Sequence, residues 1–263
     1  MRQFSAIAEK RTVSYLDNRA QYLLETGNTF AQDPKLVQYV EAGDIDQLQS
    51  YIVALKTKYN IGSMGVADKL GFILSRTRSS TLRGDNIYVS SLFGFEVSQG
   101  ETFVSYVQSS RDPREAALIT ARPVLQGGSQ VGSLFVSDFL DDVFAKKMQS
   151  MYYYPGLEVA FYTKEYGLYS TSFATSSDRQ QLARIVSPGS GWVRGGDTNK
   201  LLSYDGRVYL VKNIQLPTYG EDSQVGVLLF LPTYTSIQYG MYIACLLILL
   251  WVLWHPVVKP VIS

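Results

Sequence analysis

The sequence contains one cysteine, Cys245, and one histidine, His255, among its 263 residues. An intrachain disulfide needs two cysteines, and a zinc site built from cysteine and histidine needs more ligands than the chain has. A Ser-His-Asp or Cys-His catalytic arrangement would have to use His255, which lies directly after a very apolar run. No acidic loop has the ligand spacing of a Ca²⁺ or Mg²⁺ site. We therefore expect no catalytic residues, no metal and no cofactor in this chain.

An excess of charge of either sign is also missing, because 24 basic residues stand against 23 acidic ones. A nucleic-acid partner needs a basic surface that neutralises phosphates, so this class of partner is excluded. Aromatic residues are plentiful instead, at 13% of the chain with 19 tyrosines. Tyrosine combines an apolar ring with a polar hydroxyl, and it suits half-buried sheets and the walls of polar-ligand pockets.

From residue 223 to residue 258 no side chain carries a formal charge. Residues 239–258 form a run of about 20 apolar residues, the length that a helix needs to cross the hydrocarbon core of a bilayer. Two tyrosines at its start and two tryptophans near its end match the aromatic belts of membrane helices. The alternative, a buried core helix, would normally show a polar face. We expect a transmembrane helix within residues 233–258.

The flanks of this apolar segment indicate its orientation. Lys259 follows it, and basic residues normally mark the cytoplasmic side of a membrane helix. Residues 1 to about 235 would then lie outside the cytoplasm. The first residues of the chain contain no apolar export segment. We therefore expect either an upstream start with a first membrane helix or a fragment of a longer chain.

The tetrapeptide Ser-Gln-Val-Gly occurs twice, at residues 129–132 and 223–226, each time before an apolar run. Upstream of each copy, an apolar strand turns over a glycine, Gly71 or Gly167, into a second strand. The distance from the turn glycine to the last glycine of the tetrapeptide is 61 residues in the first copy and 59 in the second. Two features in the same order at nearly the same spacing favour one β-rich module built twice over two unrelated hairpins.

The remaining patterns predict the secondary structure. Residues 4–31 carry apolar side chains at helical spacing, Asp33-Pro34 begins a short helix, and Gly43-Asp44 ends that helix and begins a third. A helix at 139–151 joins the two modules. The predicted strands are 61–67, 72–76, 102–108, 115–124 and 131–138 in the first module, and 157–163, 168–172, 201–204, 206–214 and 225–231 in the second. The fold class is therefore α+β, with a long N-terminal helix and two five-stranded antiparallel sheets.

This arrangement resembles the double Cache (PAS-like) extracytoplasmic sensor of bacterial transmembrane signalling receptors. Three segments carry the likeness: 32–44, which begins Gln-Asp-Pro-Lys-Leu-Val, 67–74, which contains the Asp-x-x-Gly turn, and 121–136, which contains Ala-Arg-Pro-Val and Val-Gly-Ser-Leu-Phe-Val. Residues 257–263 resemble the start of a HAMP linker, where a proline follows the second membrane span. The aromatic-arginine signature with which some double Cache domains hold amino acids is not recognisable, so an amino-acid ligand is not supported.

The resemblance implies a domain organisation. We expect an N-terminal helical stalk at 1–60, a membrane-distal Cache module at 61–150, a membrane-proximal module at 151–232, the transmembrane helix at 233–258 and the start of a HAMP linker at 259–263. It also implies a location in the cell inner membrane and, through the N-terminal helix, a homodimer. The output domain of such a receptor lies outside this chain.

A pocket is expected on the face of the first sheet that the long helix leaves open. Polar side chains on central strands, together with an aromatic wall, are typical of such pockets. Five residues are therefore candidate ligand contacts: Arg76, Tyr88, Tyr106, Arg122 and Asp138. The guanidinium of Arg122 suits a carboxylate or phosphate, although Arg122 and Asp138 can equally form a cross-strand ion pair. In the second module the corresponding candidates are Tyr204, Tyr209 and Lys212.

The favoured function is that of a ligand-sensing region of a histidine kinase, chemoreceptor or cyclase type of receptor, without catalysis of its own. A small molecule bound to the first module would displace the helix that enters the membrane. A membrane-anchored protein-interaction or adhesion module without a small ligand is the alternative. A membrane-tethered enzyme is the third hypothesis, which a carboxylate cluster with a metal would support.

Overall fold

A computed structural model describes residues 2–78, 84–90, 94–108, 116–194, 199–218, 225–233 and 245–248 of the chain. Its helices are α1 (Arg2–Ala31), α2 (Pro34–Ala42), α3 (Ile45–Lys58), α4 (Ile87–Ser90), α5 (Gly94–Ser98), α6 (Asp142–Gln149), α7 (Ser176–Ile185) and α8 (Gly191–Arg194). Its strands are β1 (Ser63–Asp68), β2 (Ile73–Arg76), β3 (Phe103–Gln108), β4 (Ala116–Gln126), β5 (Ser129–Phe139), β6 (Glu158–Thr163), β7 (Gly167–Thr171), β8 (Asn199–Tyr204), β9 (Arg207–Gln215) and β10 (Val225–Thr233). The predicted strands and the long helices are confirmed, with boundaries that differ by a few residues.

Local capping chemistry sets the ends of the two helices that follow α1. The side chain of Asp33 accepts hydrogen bonds from the first backbone N–H groups of α2, and Pro34 occupies the first turn. Gly43 ends α2 in the left-handed region, at φ 64°, where glycine has no steric penalty. Asp44 then caps α3 by accepting from the backbone N–H of Gln47 at 3.2 Å. These positions carry the start and stop signals that the sequence predicted.

Each half of the chain forms one five-stranded antiparallel sheet. The strand order is β2-β1-β5-β4-β3 in the first sheet and β7-β6-β10-β9-β8 in the second, so both sheets have the same topology. The last strand of each module, β5 or β10, lies in the centre between the first and fourth strands of that module. The duplication predicted from the sequence is therefore present in the topology.

Helix α1 and the linking helix α6 cover the same side of this double structure. One continuous apolar core contains the buried stripe of α1, the inner residues of the first sheet, the buried side of α6 and the inner residues of the second sheet. Leu16 and Leu23 of α1 are 1% and 0% exposed. The side chains of Leu134 and Val136 from β5 lie in this core, as do alternate residues of β10. We call these helix-covered faces the inner faces and the opposite faces the outer faces.

The two copies of Ser-Gln-Val-Gly are not equivalent position by position. A Cβ atom on Gly132 would overlap the backbone oxygen of Ala67 and approach Val40 of α2, on the inner face. A Cβ atom on Gly226 would overlap the ring of Tyr162, which lies on the outer face of the second sheet. Because side chains alternate along a strand, the two glycines differ by one position in register. The repeated tetrapeptide therefore begins the same strand in each module, but its last glycine lies on the inner face in the first module and on the outer face in the second.

The predicted membrane segment at 239–258 lies outside the described residues except for 245–248. These four residues are helical and exposed, and they include Cys245. Among the residues that the structure describes, no helix has both the length and the apolar character needed to span a bilayer. The predicted HAMP start at 259–263 also lies outside the described residues.

A buried ion pair fixes α1 to the second sheet, and its removal tests the fold. Lys212 of β9 keeps 9% of its side chain exposed, and its ammonium lies 3.2 Å from the carboxylate of Glu9, which is 34% exposed. Glu9→Gln leaves the lysine buried without a counter-charge. We expect the free energy of unfolding to fall by about 1–2 kcal/mol, less than for a fully buried pair because Glu9 is partly solvated. Denaturant unfolding measures this change.

The matched control is Glu25→Gln, on the same helix, where the carboxylate is exposed and accepts from Gln21, one turn earlier in α1. This change should alter the unfolding free energy by less than about 0.5 kcal/mol. Equal effects of Glu9→Gln and Glu25→Gln would contradict a structural role for the Glu9–Lys212 pair.

Glu158, at the start of β6, gives the fold a predicted pH dependence. Burial raises the pKa of its carboxyl above the ordinary value of 4.5, although hydrogen bonds from Ser172 and Gln149 oppose the shift. A raised pKa means that the folded protein binds this proton more tightly than the unfolded chain does. The stability contributed by this group is therefore complete below pH 4.5 and is lost as the pH rises through the raised value.

Glu158→Gln removes this titration, so the variant should gain stability relative to the unmodified protein between pH 4 and pH 7. Denaturant unfolding at both pH values measures the difference. Glu165→Gln, an exposed position in the β6–β7 turn, is the control. A stability difference that is the same at both pH values for Glu158→Gln would refute the assignment.

Candidate functional site

The outer face of the first sheet is the face on which a ligand pocket was expected. Its side chains form a separate apolar cluster, which α4 and α5 cover. The buried members are Ala67, Ile73, Ile87, Val97, Phe103, Val107, Ile119, Ala121 and Phe135. Residues 84–98, as far as the structure describes them, therefore close this face with apolar side chains.

A polar network anchors α4 to the outer face. The hydroxyl of Tyr88 lies 2.7 Å from the hydroxyl of Ser133 on β5, which is fully buried. The side-chain amide of Gln130 donates to the Tyr88 hydroxyl at 3.0 Å and to the backbone oxygen of Val97 in α5 at 3.2 Å. Burial raises the pKa of Tyr88, so the phenol stays protonated. One glutamine thus connects the central strand to both covering helices.

The Asp-x-x-Gly turn between β1 and β2 positions the ring of Tyr88. The side chain of Asp68 accepts from the backbone N–H groups of Leu70 and Phe72, at 2.9 Å each, and this closes the turn. Gly71 adopts φ 87°, a conformation that favours glycine. A Cβ atom there would lie 2.6 Å from the Tyr88 ring, so the ring packs directly on the glycine. The motif that suggested the family therefore also shapes the outer face.

Arg76 lies on the outer face too, at the end of β2. It is paired with Gly65 across the strands, and its Cβ lies close to that glycine. Its guanidinium forms an ion pair with Asp85 at 3.0 Å, with 17% of the arginine side chain exposed. The ion pair connects the edge strand to the segment that carries Tyr88. Two of the five predicted contacts, Arg76 and Tyr88, are therefore on the expected face.

The other three candidates, Tyr106, Arg122 and Asp138, lie on the inner face, which corrects the expectation that one pocket contains all five. Asp138 forms an ion pair with Arg19 of α1 and accepts from the backbone N–H of Gly62 at 2.8 Å. Arg122 donates to the side-chain oxygen of Asn28 in α1 at 3.1 Å. The proposed cross-strand pair between Arg122 and Asp138 is not formed.

Burial shifts the pKa values of two of these inner-face groups. Tyr106 is 5% exposed within the core shared with α1, and this burial raises the pKa of its phenol. Burial also lowers the pKa of Arg122. The sequence did not reveal the face because both faces of these strands are apolar and buried, so the alternation of polar and apolar residues is lost.

In the second module, the outer face is filled by the protein itself. The ring of Tyr162 lies under Gly226, and its hydroxyl donates to the side chain of Asn213 at 2.8 Å. Asn213 in turn donates to the backbone oxygen of Trp192 at 2.8 Å. Of the earlier candidates, Tyr204 and Tyr209 belong to this packed cluster, whereas Lys212 lies on the inner face.

Among the residues that the structure describes, no three histidine, cysteine, aspartate or glutamate side chains lie close enough to hold a metal ion. Sequence reasoning missed Gln130 and Ser133, which connect the sheet to α4. A signal was present, because Gln130 belongs to the repeated Ser-Gln-Val-Gly. That signal indicated duplication, whereas the contact with Tyr88 joins residues 42 positions apart in the sequence and depends on the tertiary fold.

Two sheets of identical strand order, carried in tandem on one long helix, define the fold as a pair of tandem PAS-like modules. The family described as the double sensory domain of two-component sensor kinases matches residues 2–234. The chain belongs to this double Cache family, and the family predicted from the sequence is confirmed.

Solved structures show the same fold. The ligand-binding domain of the Campylobacter jejuni chemoreceptor Tlp3, in complex with 4-methylisoleucine, is 9% identical with a TM-score of 0.50, over 87% of this chain and 88% of that one. Methyl-accepting chemotaxis protein X is 10% identical with a TM-score of 0.51, over 88% and 98%. No curated protein sequence matches the chain. At these identities the likeness concerns the fold alone.

The role of the Tyr88 hydroxyl can be tested directly. Tyr88→Phe keeps the ring on Gly71 but removes the bonds to Ser133 and Gln130. We expect hydrogen exchange of the backbone amides in residues 84–90 to accelerate roughly 5- to 10-fold, as for the loss of about 1 kcal/mol. Tyr22→Phe removes a comparable bond to the backbone oxygen of Tyr59 and serves as the control. Equal protection of residues 84–90 in both variants would contradict the anchoring role.

Proposed function

We propose that this chain is the extracytoplasmic sensing region of a bacterial membrane receptor and that a small molecule binds at the outer face of its first module. The observation that carries this proposal is the difference between the two outer faces. In the first module, separate short helices close the face through one polar network around Tyr88. In the second module, α7 and α8 cover the face with the buried apolar side chains of Leu182 and Val193, which pack with the ring of Tyr162. The first module would sense, and the second would relay.

Arg76 and Tyr88 are the proposed ligand contacts. The guanidinium of Arg76 offers five donors in a planar fork, and its ion pair with Asp85 is half-open to solvent on the aspartate side. A ligand with a carboxylate or phosphate would exchange with Asp85 for the guanidinium. The Tyr88 hydroxyl can donate to or accept from the same ligand when its bond to Ser133 opens. Ligand binding would therefore compete with the contacts that close residues 84–90.

The inner-face residues have a different proposed role. Asp138 and Arg122 connect the two central strands of the first sheet to α1 through Arg19 and Asn28. A displacement of these strands would be transmitted to α1 and, through the ion pair between Glu9 and Lys212, to the second sheet. Tyr106 contributes packing to the same interface.

The further parts of the proposal concern regions that rest on the sequence pattern. We propose a membrane-distal module at 61–150, a proximal module at 151–232, a transmembrane helix within 233–258 and a HAMP linker from 259. The apolar, uncharged run after β10 supports the membrane helix. A homodimer in the inner membrane and an output domain outside this chain complete the receptor. A small-molecule ligand accords with the ligand present in the similar Tlp3 domain.

The test is thermal unfolding of the full chain in phosphatidylcholine nanodiscs with a panel of small carboxylates, phosphates, amines and polyols. A ligand at about 100 times its Kd stabilises by about 2.7 kcal/mol, so Tm should rise by roughly 5–10 °C. Arg76→Met should abolish the shift. Arg122→Met, an arginine on the opposite face of the same sheet, should retain it.

Two outcomes would refute the proposal. No shift with any member of the panel would favour the alternative of a membrane-anchored protein-interaction or adhesion module. Equal loss of the shift in Arg76→Met and Arg122→Met would show that the outer face is not the ligand site.

A further inference from the structure

A cavity of ≈ 530 Å³ lies at the junction of the two modules and apart from the outer face of the first sheet. Its first wall contains Phe139, at the end of β5, and Asp141, Asp142 and Val143, at the start of α6. Its second wall contains Tyr166, before β7, and Arg179 of α7. We call it the junction cavity. Its size is within the range of about 300–1,000 Å³ found for small-molecule sites.

The polar side of the junction cavity is held in place by backbone groups of β7. Asp142 accepts from Arg179 at 2.8 Å with one carboxylate oxygen and from the backbone N–H of Thr171 at 2.8 Å with the other. Arg179 also donates to the backbone oxygen of Tyr169. Because β7 is an edge strand, these backbone groups have no neighbouring strand to pair with. The ion pair is therefore oriented from two sides, and about half of each side chain stays exposed.

Asp141 supplies a carboxylate that this pairing does not use. One of its oxygens caps α6 by accepting from the backbone N–H of Phe144 at 2.9 Å. Its other oxygen accepts from no residue that the structure describes, and the side chain is exposed. The lining side chains Asp141, Asp142 and Arg179 together carry a net charge of −1, which the N-terminus of α6 offsets only in part, so the lining favours a cation over an anion.

The apolar side of the junction cavity is open to solvent. Val143 is 74% exposed although its neighbour Phe144 is buried, and Tyr166 is 38% exposed. Phe139 already binds a cation with one ring face, because the guanidinium of Arg78 lies 3.6 Å from its ring centroid. Aromatic rings attract cations through the negative charge of their faces. The walls thus combine an apolar surface, aromatic rings and a carboxylate with one oxygen that no described residue bonds.

We propose that the junction cavity binds a small organic ammonium ion with an apolar body. The ammonium group pairs with Asp141, and the apolar body packs on Val143 and Tyr166. Such a ligand contacts both modules at once, so it stabilises one relative arrangement of α6 and β7 over others. The site is independent of Arg76 and Tyr88, and it would add a second input to the receptor.

The probe is phenethylammonium, measured by isothermal titration calorimetry on the full chain in phosphatidylcholine nanodiscs, with empty nanodiscs subtracted. We expect saturable binding with one site per chain. The anion 3-phenylpropionate, of similar size, should bind at least 10-fold more weakly, because the ammonium–carboxylate attraction becomes a repulsion.

A matched pair of variants tests the residue. Asp141→Asn keeps a good helix cap but removes the charge, and it should weaken phenethylammonium binding at least 5-fold. Asp44→Asn makes the same change at the cap of α3, far from the junction cavity, and should leave binding unchanged. Val143→Lys, at an exposed position, should also weaken binding by adding a positive charge.

Three results would overturn the proposal: no saturable binding, equal binding of 3-phenylpropionate, or equal effects of Asp141→Asn and Asp44→Asn. Arg76→Met separates the two sites. This variant should leave phenethylammonium binding unchanged. The junction cavity can therefore bind its ligand even if the proposed ligand site at the outer face of the first sheet is refuted.

Discussion

The burial of one helix against two sheets is the constraint on which the rest of this structure depends. Helix α1 and the inner faces of both modules share a single apolar core, so neither sheet has an inner face that is complete without its helices. Two ion pairs fix the helix at two points along its length: Arg19 with Asp138 of the first sheet, and Glu9 with Lys212 of the second. Because Asp138 and Lys212 are both buried, a sliding of α1 against either sheet would leave a buried charge without its partner. The helix and the sheets must therefore move together.

The inner faces of both modules belong to this core. The two modules differ in their outer faces. The first is closed by α4 and α5, which are held through the Tyr88 hydroxyl and Gln130. The second is closed by α7 and α8, whose buried Leu182 and Val193 pack with Tyr162 of β6. The same topology thus yields one face whose covering helices are joined to the sheet by a polar network and one whose covering helices are joined to it mainly by apolar packing. This difference supports the proposal that the first module senses and the second relays.

The junction between the modules has its own chemistry. Edge strand β7 would expose unpaired backbone groups, and the side chains of Asp142 and Arg179 satisfy them. The same two side chains connect α6 with α7, so the junction responds to movement of either helix. A sensor that transmits small displacements needs such a connection, because packed interfaces shift between discrete arrangements rather than deforming continuously.

Local signals in the sequence determined the secondary structure, the duplication and the family. The caps at Asp33 and Asp44, the turn glycines and the repeated tetrapeptide all act over a few residues, so they could be predicted directly. The sequence also placed Arg76 and Tyr88 on the outer face. It could not place Arg122 and Asp138, because strands buried on both faces lose their polar alternation, and a shift of one residue exchanges the faces. That shift separates Gly132 from Gly226 within the repeat itself. Only the packing of α1 on one side decided which side chains anchor the helix and which lie on the opposite face.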